Sequence, residues 1–289
     1  MAKVLIAGCG DLGTAIAMHL QQSYEVIGLR LSHQPLPLGM QTIQADVTKP
    51  NTLTPLEKLN PNFIIYCVAA SAQTDENYQA IYVDGLKNIL ATQQANQQLQ
   101  HVFFVSSTRV YGKNTEDTLD ENTLAVPADF GGERLLEAEN LLKGVCSKSM
   151  QWKATSMRLS GIYGEGRLYL VNMAKDLTRW PKENHWSNRI HRDDAAGFIA
   201  FLVEQASRNH EVSDCYIVTD DMPTQQYEVL TWLAKQQGID PSNIKAPIAQ
   251  GGKRLSNQRL RATGFQLQYP NYQAGYRFVL QNLTQQHLK

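Results

Sequence analysis

This chain is short of cysteine, without surplus charge of either sign, and without a long apolar run. Each absence removes a class of function. Its 289 residues carry 27 Lys and Arg against 27 Asp and Glu, a formal net charge of zero. A general electrostatic grip on nucleic acid or on an anionic membrane is therefore not expected. No stretch reaches the roughly 20 apolar residues that span a bilayer. Met1-Ala2-Lys3 leads straight into Val4-Leu5-Ile6-Ala7, too short an apolar core for a signal peptide. The four cysteines, Cys9, Cys67, Cys146 and Cys215, form no Cys-x-x-Cys pair. Buried thiols in a reducing cytoplasm are expected. No His/Cys/Asp/Glu set has metal-ligand spacing, and neither a Walker loop nor a Gly-x-Ser-x-Gly elbow is present. A small-molecule substrate, no metal, and a monomer or homodimer are the remaining expectations.

What is present is alternation. Strand-like apolar runs occur at Val4–Ala7, Glu25–Leu29, Phe63–Val68, Val102–Ser106 and Thr155–Leu159, with a weaker one at Gln41–Ala45. Between them lie amphipathic segments at Leu12–Gln22, Asn77–Gln98 and Gly132–Leu142. Strands alternating with helices predict an α/β fold, a doubly wound parallel sheet covered on both faces. After Leu159 the pattern loosens. Trp180-Pro181 and Trp186-Ser187 bracket a polar loop, and Pro241–Gly252 reads as a connection. Helices are expected at Asp194–Glu204, Gln226–Gln237 and from Gln273, with a strand at Tyr216–Thr219. The expected division is a dinucleotide-binding domain over 1–160, to which 190–215 returns, and a smaller C-terminal substrate lobe from 161–189 and 216–289.

Gly8-Cys9-Gly10-Asp11-Leu12-Gly13 matches Gly-x-Gly-x-x-Gly between the first strand and the first helix. In that context Gly8 permits a tight turn, Gly10 lets backbone approach a pyrophosphate, and Gly13 lets helix and strand pack closely. The helix start at Asp11 and Leu12 then offers N–H groups and a positive dipole end to phosphate. NAD-binding chains place a carboxylate at the end of the second strand, on the ribose 2′-hydroxyl. Here that strand ends in Arg30, with Ser32 beyond it and no carboxylate. This favours NADP(H) over NAD(H). Asp46, after the third strand, either faces the adenine edge or forms a turn.

Several further segments, in order, resemble the extended short-chain dehydrogenase/reductase superfamily. They resemble in particular atypical members of its NAD-dependent epimerase/dehydratase group. Ile64-Ile65-Tyr66-Cys67-Val68-Ala69-Ala70 resembles the fourth strand, whose end at Ala69 lines the cofactor. Tyr82-Val83-Asp84-Gly85-Leu86-Lys87-Asn88 resembles the helix that usually carries Asn where Asp84 stands. Phe103-Phe104-Val105-Ser106-Ser107-Thr108-Arg109-Val110-Tyr111-Gly112 is similar to the strand-five signature, in which the residue at Ser107 contacts the substrate carbonyl. Arg158–Arg167 and Arg189–Asp194 resemble segments of the substrate lobe. The resemblance implies a Rossmann-like sheet with that lobe.

The departures matter as much. In the family a Tyr-x-x-x-Lys pair supplies the proton and binds the nicotinamide ribose. Here Phe130-Gly131-Gly132-Glu133-Arg134 stands in its place. A phenyl ring cannot donate a proton, whereas Arg134 retains a positive charge and can hold a ribose hydroxyl. The resemblance carries the catalytic positions to Ser107, with neighbouring Thr108, and to Asp84, Phe130 and Arg134. Tyr111 and Tyr163 are phenols inside family-like motifs, either displaced acids or packing residues. Arg167 and Arg189 suit an anionic substrate such as a nucleotide sugar or stand solvated, and His191 acts in the lobe or structures a loop. Two functions stay open. One is an NADP(H)-dependent oxidoreductase or epimerase/dehydratase-like enzyme with a non-standard acid. The other is a dinucleotide-binding redox sensor or partner-binding module without turnover.

Overall fold

The computed structural model describes residues 1–32, 36–37, 40–112, 117–149 and 151–286. They form two compact units. The first comprises Met1–Gly112, Leu124–Arg158 and Ala196–Tyr216, and the second Lys113–Thr123, Leu159–Ala195 and Ile217–Lys289. The return to the first unit thus begins at Ala196, six residues later than expected from the sequence, and Asp117–Thr123 groups with the second unit.

Most of a seven-stranded sheet belongs to the first unit. Its strands are β1 (Lys3–Ala7), β2 (Glu25–Arg30), β3 (Gln41–Gln44), β4 (Phe63–Tyr66), β5 (His101–Ser107), β6 (Lys153–Leu159) and β7 (Cys215–Val218). The spatial order is β7-β6-β5-β4-β1-β2-β3. β1 pairs in parallel with both β2 and β4, β2 with β3, and β4 with β5. β1 and β4 are buried almost throughout, as strands covered on both faces must be. The chain winds outward in one direction from β1 to β3, then in the other from β4 to β7. The reversal lies between the carboxyl ends of β1 and β4, where open α/β sheets bind ligands.

The helices α1 (Asp11–Leu20), α2 (Asp75–Tyr78), α3 (Gly85–Ala91) and α4 (Phe130–Ser149) follow the expected order. α1 buries Leu12, Gly13, Ile16, Ala17 and Leu20, the 3–4 spacing of one helical face. α2 and α3 are joined by a π-helical turn, Gln79–Asp84. Tyr66 explains it locally: its buried hydroxyl donates to the Ile81 carbonyl, within the widened turn. Gly85 leaves room for that phenol, since a Cβ there would lie 2.4 Å from Tyr66 Oη. Of the cysteines only Cys9 is buried; Cys67, Cys146 and Cys215 are half-buried.

The second unit is built on helices Tyr169–Ala174, Gln226–Gln236 and Tyr272–Gln286, which share a core that includes Val171, Tyr227, Leu230, Leu233 and Tyr276. Strand Gly161–Tyr163 pairs in parallel with Arg189–His191. The polar loop between the tryptophans contains a strand, Asn184–Ser187. The expected connection contains another, Ala249–Gly252, paired with it in parallel. Gly252, at φ +81°, lies so close to Trp186 that a Cβ would meet its carbonyl oxygen at 2.2 Å. Among the described residues no helix is long and apolar enough to cross a membrane.

Candidate functional site

The glycine loop turns where β1 ends. Gly8 adopts φ +95°, a conformation that suits glycine, and a Cβ there would lie 2.5 Å from the backbone of Cys67 and Val68. This glycine therefore closes β1 against the end of β4. A Cβ on Gly13 would meet the Gly8 carbonyl oxygen at 2.4 Å, so this glycine lets α1 pack on the turn. Gly10 differs. A Cβ there would meet nothing within 4 Å. It caps α1 without a side chain, so space lies open beside a helix N-terminus. Asp11 is exposed and Leu12 buried at that start. Those features fit a pyrophosphate, and with it a dinucleotide cofactor.

Arg30 closes β2, half-buried, with its charge felt by the buried Cys9 thiol. Ser32 beyond it is exposed. Asp46 proves to be a turn former: Oδ1 accepts from the Thr48 N–H at 3.0 Å and from its hydroxyl at 2.7 Å, and Lys49 stands 3.4 Å from Oδ2. Burial raises its carboxyl, but the Thr48 hydrogen bonds and the Lys49 ammonium together hold it below the usual carboxylate range. Ala69 is exposed just past β4, and the Ala70 N–H donates to Tyr82 Oη at 3.3 Å.

Ser107 ends β5, half-buried, with Thr108 buried behind it. Ser107 Oγ accepts the Arg109 N–H at 3.2 Å. Arg109 was not among the expected site residues, yet it organises this end of the unit. Its Nε donates to Asp129 Oδ1 at 2.9 Å, and its Nη1 to Tyr78 Oη at 2.9 Å and Gln73 Oε1 at 3.1 Å. Its guanidinium lies 5.3 Å from the Phe130 ring centre and 5.2 Å from that of Tyr78. Phe130 meets Tyr78 edge-on at 5.4 Å. The signal was a cation two residues after Ser107, facing the end of a diglycine helix start.

Arg134 is fully engaged by carboxylates. Nε and Nη2 donate to the two oxygens of Asp75 at 2.7 and 3.0 Å, and Nη1 to Glu137 at 2.7 Å. Asp84 is exposed, accepting from Gln79 Nε2 at 3.4 Å. Tyr111, a displaced acid or a packing residue by its sequence, is buried, its hydroxyl accepting from Arg158 Nη1 at 2.7 Å. Arg158 in turn makes a buried ion pair with Glu139 at 2.6 Å, and Ser106 Oγ donates to the same carboxylate at 2.5 Å. The network satisfies a buried charge pair and keeps Tyr111 in the interior.

In the second unit, Arg167 is exposed and Arg189 buried, and both line one cavity with Tyr163. Burial pushes the Tyr163 phenol well up, and its hydroxyl has no hydrogen-bond partner. His191 is fully buried. Burial lowers its pKa to about 4, and its Nδ1 accepts the Asp193 N–H at 3.3 Å, so the neutral ring carries its proton on Nε2. No group of three or more His, Cys, Asp or Glu able to hold a metal occurs among the described residues.

Residues 4–214 match the NAD dependent epimerase/dehydratase family. The chain belongs to that family. A Methylobacillus flagellatus protein assigned to the NAD-dependent epimerase/dehydratases has a similar structure, with 47% identity, a TM-score of 0.88, and 98% of this chain and 99% of that one covered. UDP-glucose 4-epimerase of Thermus thermophilus, solved with NAD, shares 19% identity at a TM-score of 0.77 over 96% of this chain and 98% of its own. UDP-glucose 4-epimerase of Thermotoga maritima, solved with UDP-glucose, shares 15% identity at 0.80 over 99% and 100%. At such identities the two epimerases show the shared fold. No curated protein matches.

Proposed function

We propose that this epimerase/dehydratase-family chain is an NADP(H)-binding oxidoreductase or epimerase/dehydratase-like enzyme for a sugar-nucleotide-like or other anionic carbonyl or alcohol, one that does not use a Tyr-x-x-x-Lys pair. The observation that carries the reading is the open face at Gly10 in a loop whose flanking glycines are sterically required, together with a Ser107 hydroxyl at the end of β5. Bound there, the nicotinamide would supply hydride acceptance or donation. The loop from Gly8 to Gly13 would hold the pyrophosphate on the α1 N-terminus. Arg30 and Ser32 would read a 2′-phosphate. Ser107 would direct its proton to the substrate oxygen, since its Oγ is already oriented by the Arg109 N–H. Phe130 removes the family's phenol. Tyr78, edge-on to Phe130 and hydrogen-bonded to Arg109, is a phenol beside a cation in the same neighbourhood.

The capture of Arg134 by Asp75 and Glu137 favours a second reading, a dinucleotide-binding module without turnover. Calorimetric titration with NADP(H) and NAD(H) tests the common part. Tighter NADP(H) is expected, and Arg30→Ala should remove at least about tenfold of its affinity while leaving NAD(H) unchanged. A preference for NAD(H) would sink the role given to Arg30. Incubation of the NADP(H)-bound protein with UDP-sugars and with simple carbonyls, followed by NMR, separates the two readings. Product supports the enzyme; silence across the set with cofactor bound supports the module.

A further inference from the structure

The phenols near the carboxyl ends of β4 and β5 differ in where their protons go. Tyr66 is fully buried and gives its proton to the Ile81 carbonyl. Tyr78 is buried and gives its own to Gln73 Oε1 at 3.0 Å. Tyr111 is buried with its hydroxyl against the Arg158 guanidinium. Tyr82 is unlike these. It is only half-buried, and its hydroxyl accepts the Ala70 N–H at 3.3 Å. A phenol that accepts still has a proton to donate, and no acceptor for that proton occurs among the described residues.

The backbone puts this hydroxyl where two neighbouring chains leave the sheet. Tyr66 pairs with Phe104 in the parallel register of β4 and β5. Ala69 and Ser107 each follow that pair by three residues, and Ala70 comes next. Ser107 Oγ accepts the Arg109 N–H, so it too keeps a proton to donate. β4 is one of the two strands at the reversal of the winding, where such sheets bind ligands. Tyr82 belongs to the π-helical turn Gln79–Asp84, a geometry that recurs at functional sites, and its ring packs on Tyr78 with 5.1 Å between centres. Burial is the largest influence on the phenol and raises it, so the hydroxyl is protonated at neutral pH. The Ala70 N–H and the Arg109 charge act the other way, and both favour the phenolate that proton transfer would leave.

We propose that Tyr82 takes the place of the phenol that Phe130 lacks: its hydroxyl meets the substrate oxygen beside Ser107 and exchanges a proton with it. In the reducing direction the Tyr82 O–H bond breaks and an O–H bond forms at the carbonyl oxygen, while the carbonyl carbon takes up hydride from the nicotinamide. The electron pair of the broken bond stays on the Tyr82 oxygen, held by the Ala70 N–H, until a proton from water restores the phenol. The inference rests on the proposed dinucleotide-dependent reading and names its acid.

The experiment uses the full-length protein with tyrosine labelled by carbon-13 at Cζ, followed by NMR as NADP⁺ and, separately, NADPH are added to saturation. Tyr82→Phe keeps the ring and identifies the Tyr82 signal by its loss. That signal should move with either cofactor form. The phenol should titrate about 1–3 pH units lower with NADP⁺, whose nicotinamide is positively charged, than with NADPH. Tyr78→Phe should leave both effects in place. Any UDP-sugar or simple carbonyl that the parent turns over should lose ~10²–10⁴-fold in kcat with Tyr82→Phe, while NADPH affinity stays within about threefold. A Tyr82 signal that ignores both cofactor forms, when calorimetry shows them bound, overturns the inference and leaves the dinucleotide site standing. So does undiminished turnover in Tyr82→Phe. Absence of any cofactor binding in calorimetry removes the dinucleotide reading, and this inference with it.

Discussion

Replacing Gly10 with alanine separates a loop that binds from one that merely turns. A Cβ at this position would meet nothing within 4 Å, but the backbone sits at φ −84°, ψ −143°, outside the regions that alanine favours. Alanine is the poorer helix cap by about 1 kcal/mol. It also removes unfolded-state freedom, which returns roughly 0.4–1 kcal/mol. Those two effects nearly cancel, which leaves a backbone strain of about 1–3 kcal/mol, so the melting temperature should fall by roughly 2–12 °C. Binding should change far more, because the methyl group would occupy the space through which phosphate reaches the α1 N-terminus. Each charge-assisted backbone bond to phosphate contributes about 1.5–3 kcal/mol. Losing two would weaken Kd by roughly 10²–10⁴-fold. Gly8→Ala should cost more stability still, because it adds a steric clash to the strain. Its methyl would lie 2.5 Å from the Cys67 and Val68 backbone at φ +95°, so stability itself should fall, by more than about 1–2 kcal/mol. Calorimetric titration with NADPH and thermal melting of both variants read the two effects separately. A Gly10→Ala protein that binds dinucleotide within twofold of the parent would refute the phosphate assignment of this loop.

Phe130→Tyr combined with Arg134→Lys should raise any slow carbonyl-reductase rate, by up to ~10²–10⁴-fold if the restored phenol meets the substrate oxygen; steady-state NADPH oxidation measures it, and an inert, cofactor-bound double variant would show that these residues are not simply a lost acid pair. Arg158→Met should cost about 3–5 kcal/mol in urea unfolding, because it leaves the Glu139 carboxylate buried without its cation. Pairing it with Glu139→Leu should restore much of that loss, and a double variant no better than the single one would argue against charge burial as the cause. His101 is 2% exposed, and its Nε2 lies 2.8 Å from Thr155 Oγ1, which itself donates to the Ser213 carbonyl. The ring is therefore neutral and donates from Nε2. Burial, with Lys153 adding to it, lowers its pKa from 6.5 to about 3. The unfolded chain then binds the extra proton between those values. Stability is full above about 6.5 and should decline as pH falls toward 3. In His101→Asn the urea midpoint should lose part of this acid-side slope, and a slope identical to the parent's would exclude His101 as a contributor.

The central strands were legible because they are short apolar runs, which burial on both faces demands, whereas the edge strand β3, Gln-Thr-Ile-Gln, is largely polar and gave only a weak signal. Arg30 and Ser107 likewise stand where strand ends placed them. Tertiary contacts decided the rest. The π-helical turn at Gln79–Asp84 contains the carbonyl that accepts the Tyr66 hydroxyl, a partner 15 residues away. The strands Asn184–Ser187 and Ala249–Gly252 lack apolar alternation, and they exist through pairing with each other. Tyr111 was ambiguous because a phenol in a strand-end motif packs or reacts depending on what faces it. Here Arg158 faces it, from a strand 47 residues on.

Phe130-Gly131-Gly132-Glu133-Arg134 reads in the sequence as an acid pair that has been lost, and the structure gives the same residues a positive role. A Cβ on Gly131 would lie 2.4 Å from Arg109 Cζ, and one on Gly132 2.5 Å from the Arg109 carbonyl oxygen. The diglycine is therefore what allows the start of α4 to close over Arg109. Asp129 fixes both partners, accepting the Gly132 N–H at 2.9 Å and Arg109 Nε at 2.9 Å. Phe130 then offers its ring to the guanidinium, a contact that needs an aromatic face and no hydroxyl. One device thus fixes the side chain of Arg109, the residue whose backbone N–H bonds the Ser107 hydroxyl. Arg134 points its charge elsewhere, into Asp75 and Glu137. Arg109, at the end of β5, is itself paired with Asp129, so each of the two cations at this helix start has its own carboxylate partner. In the proposed enzyme Tyr78 would be the phenol to test against Tyr82, since it accepts from Arg109 Nη1 at 2.9 Å and gives its own proton to Gln73 Oε1 at 3.0 Å.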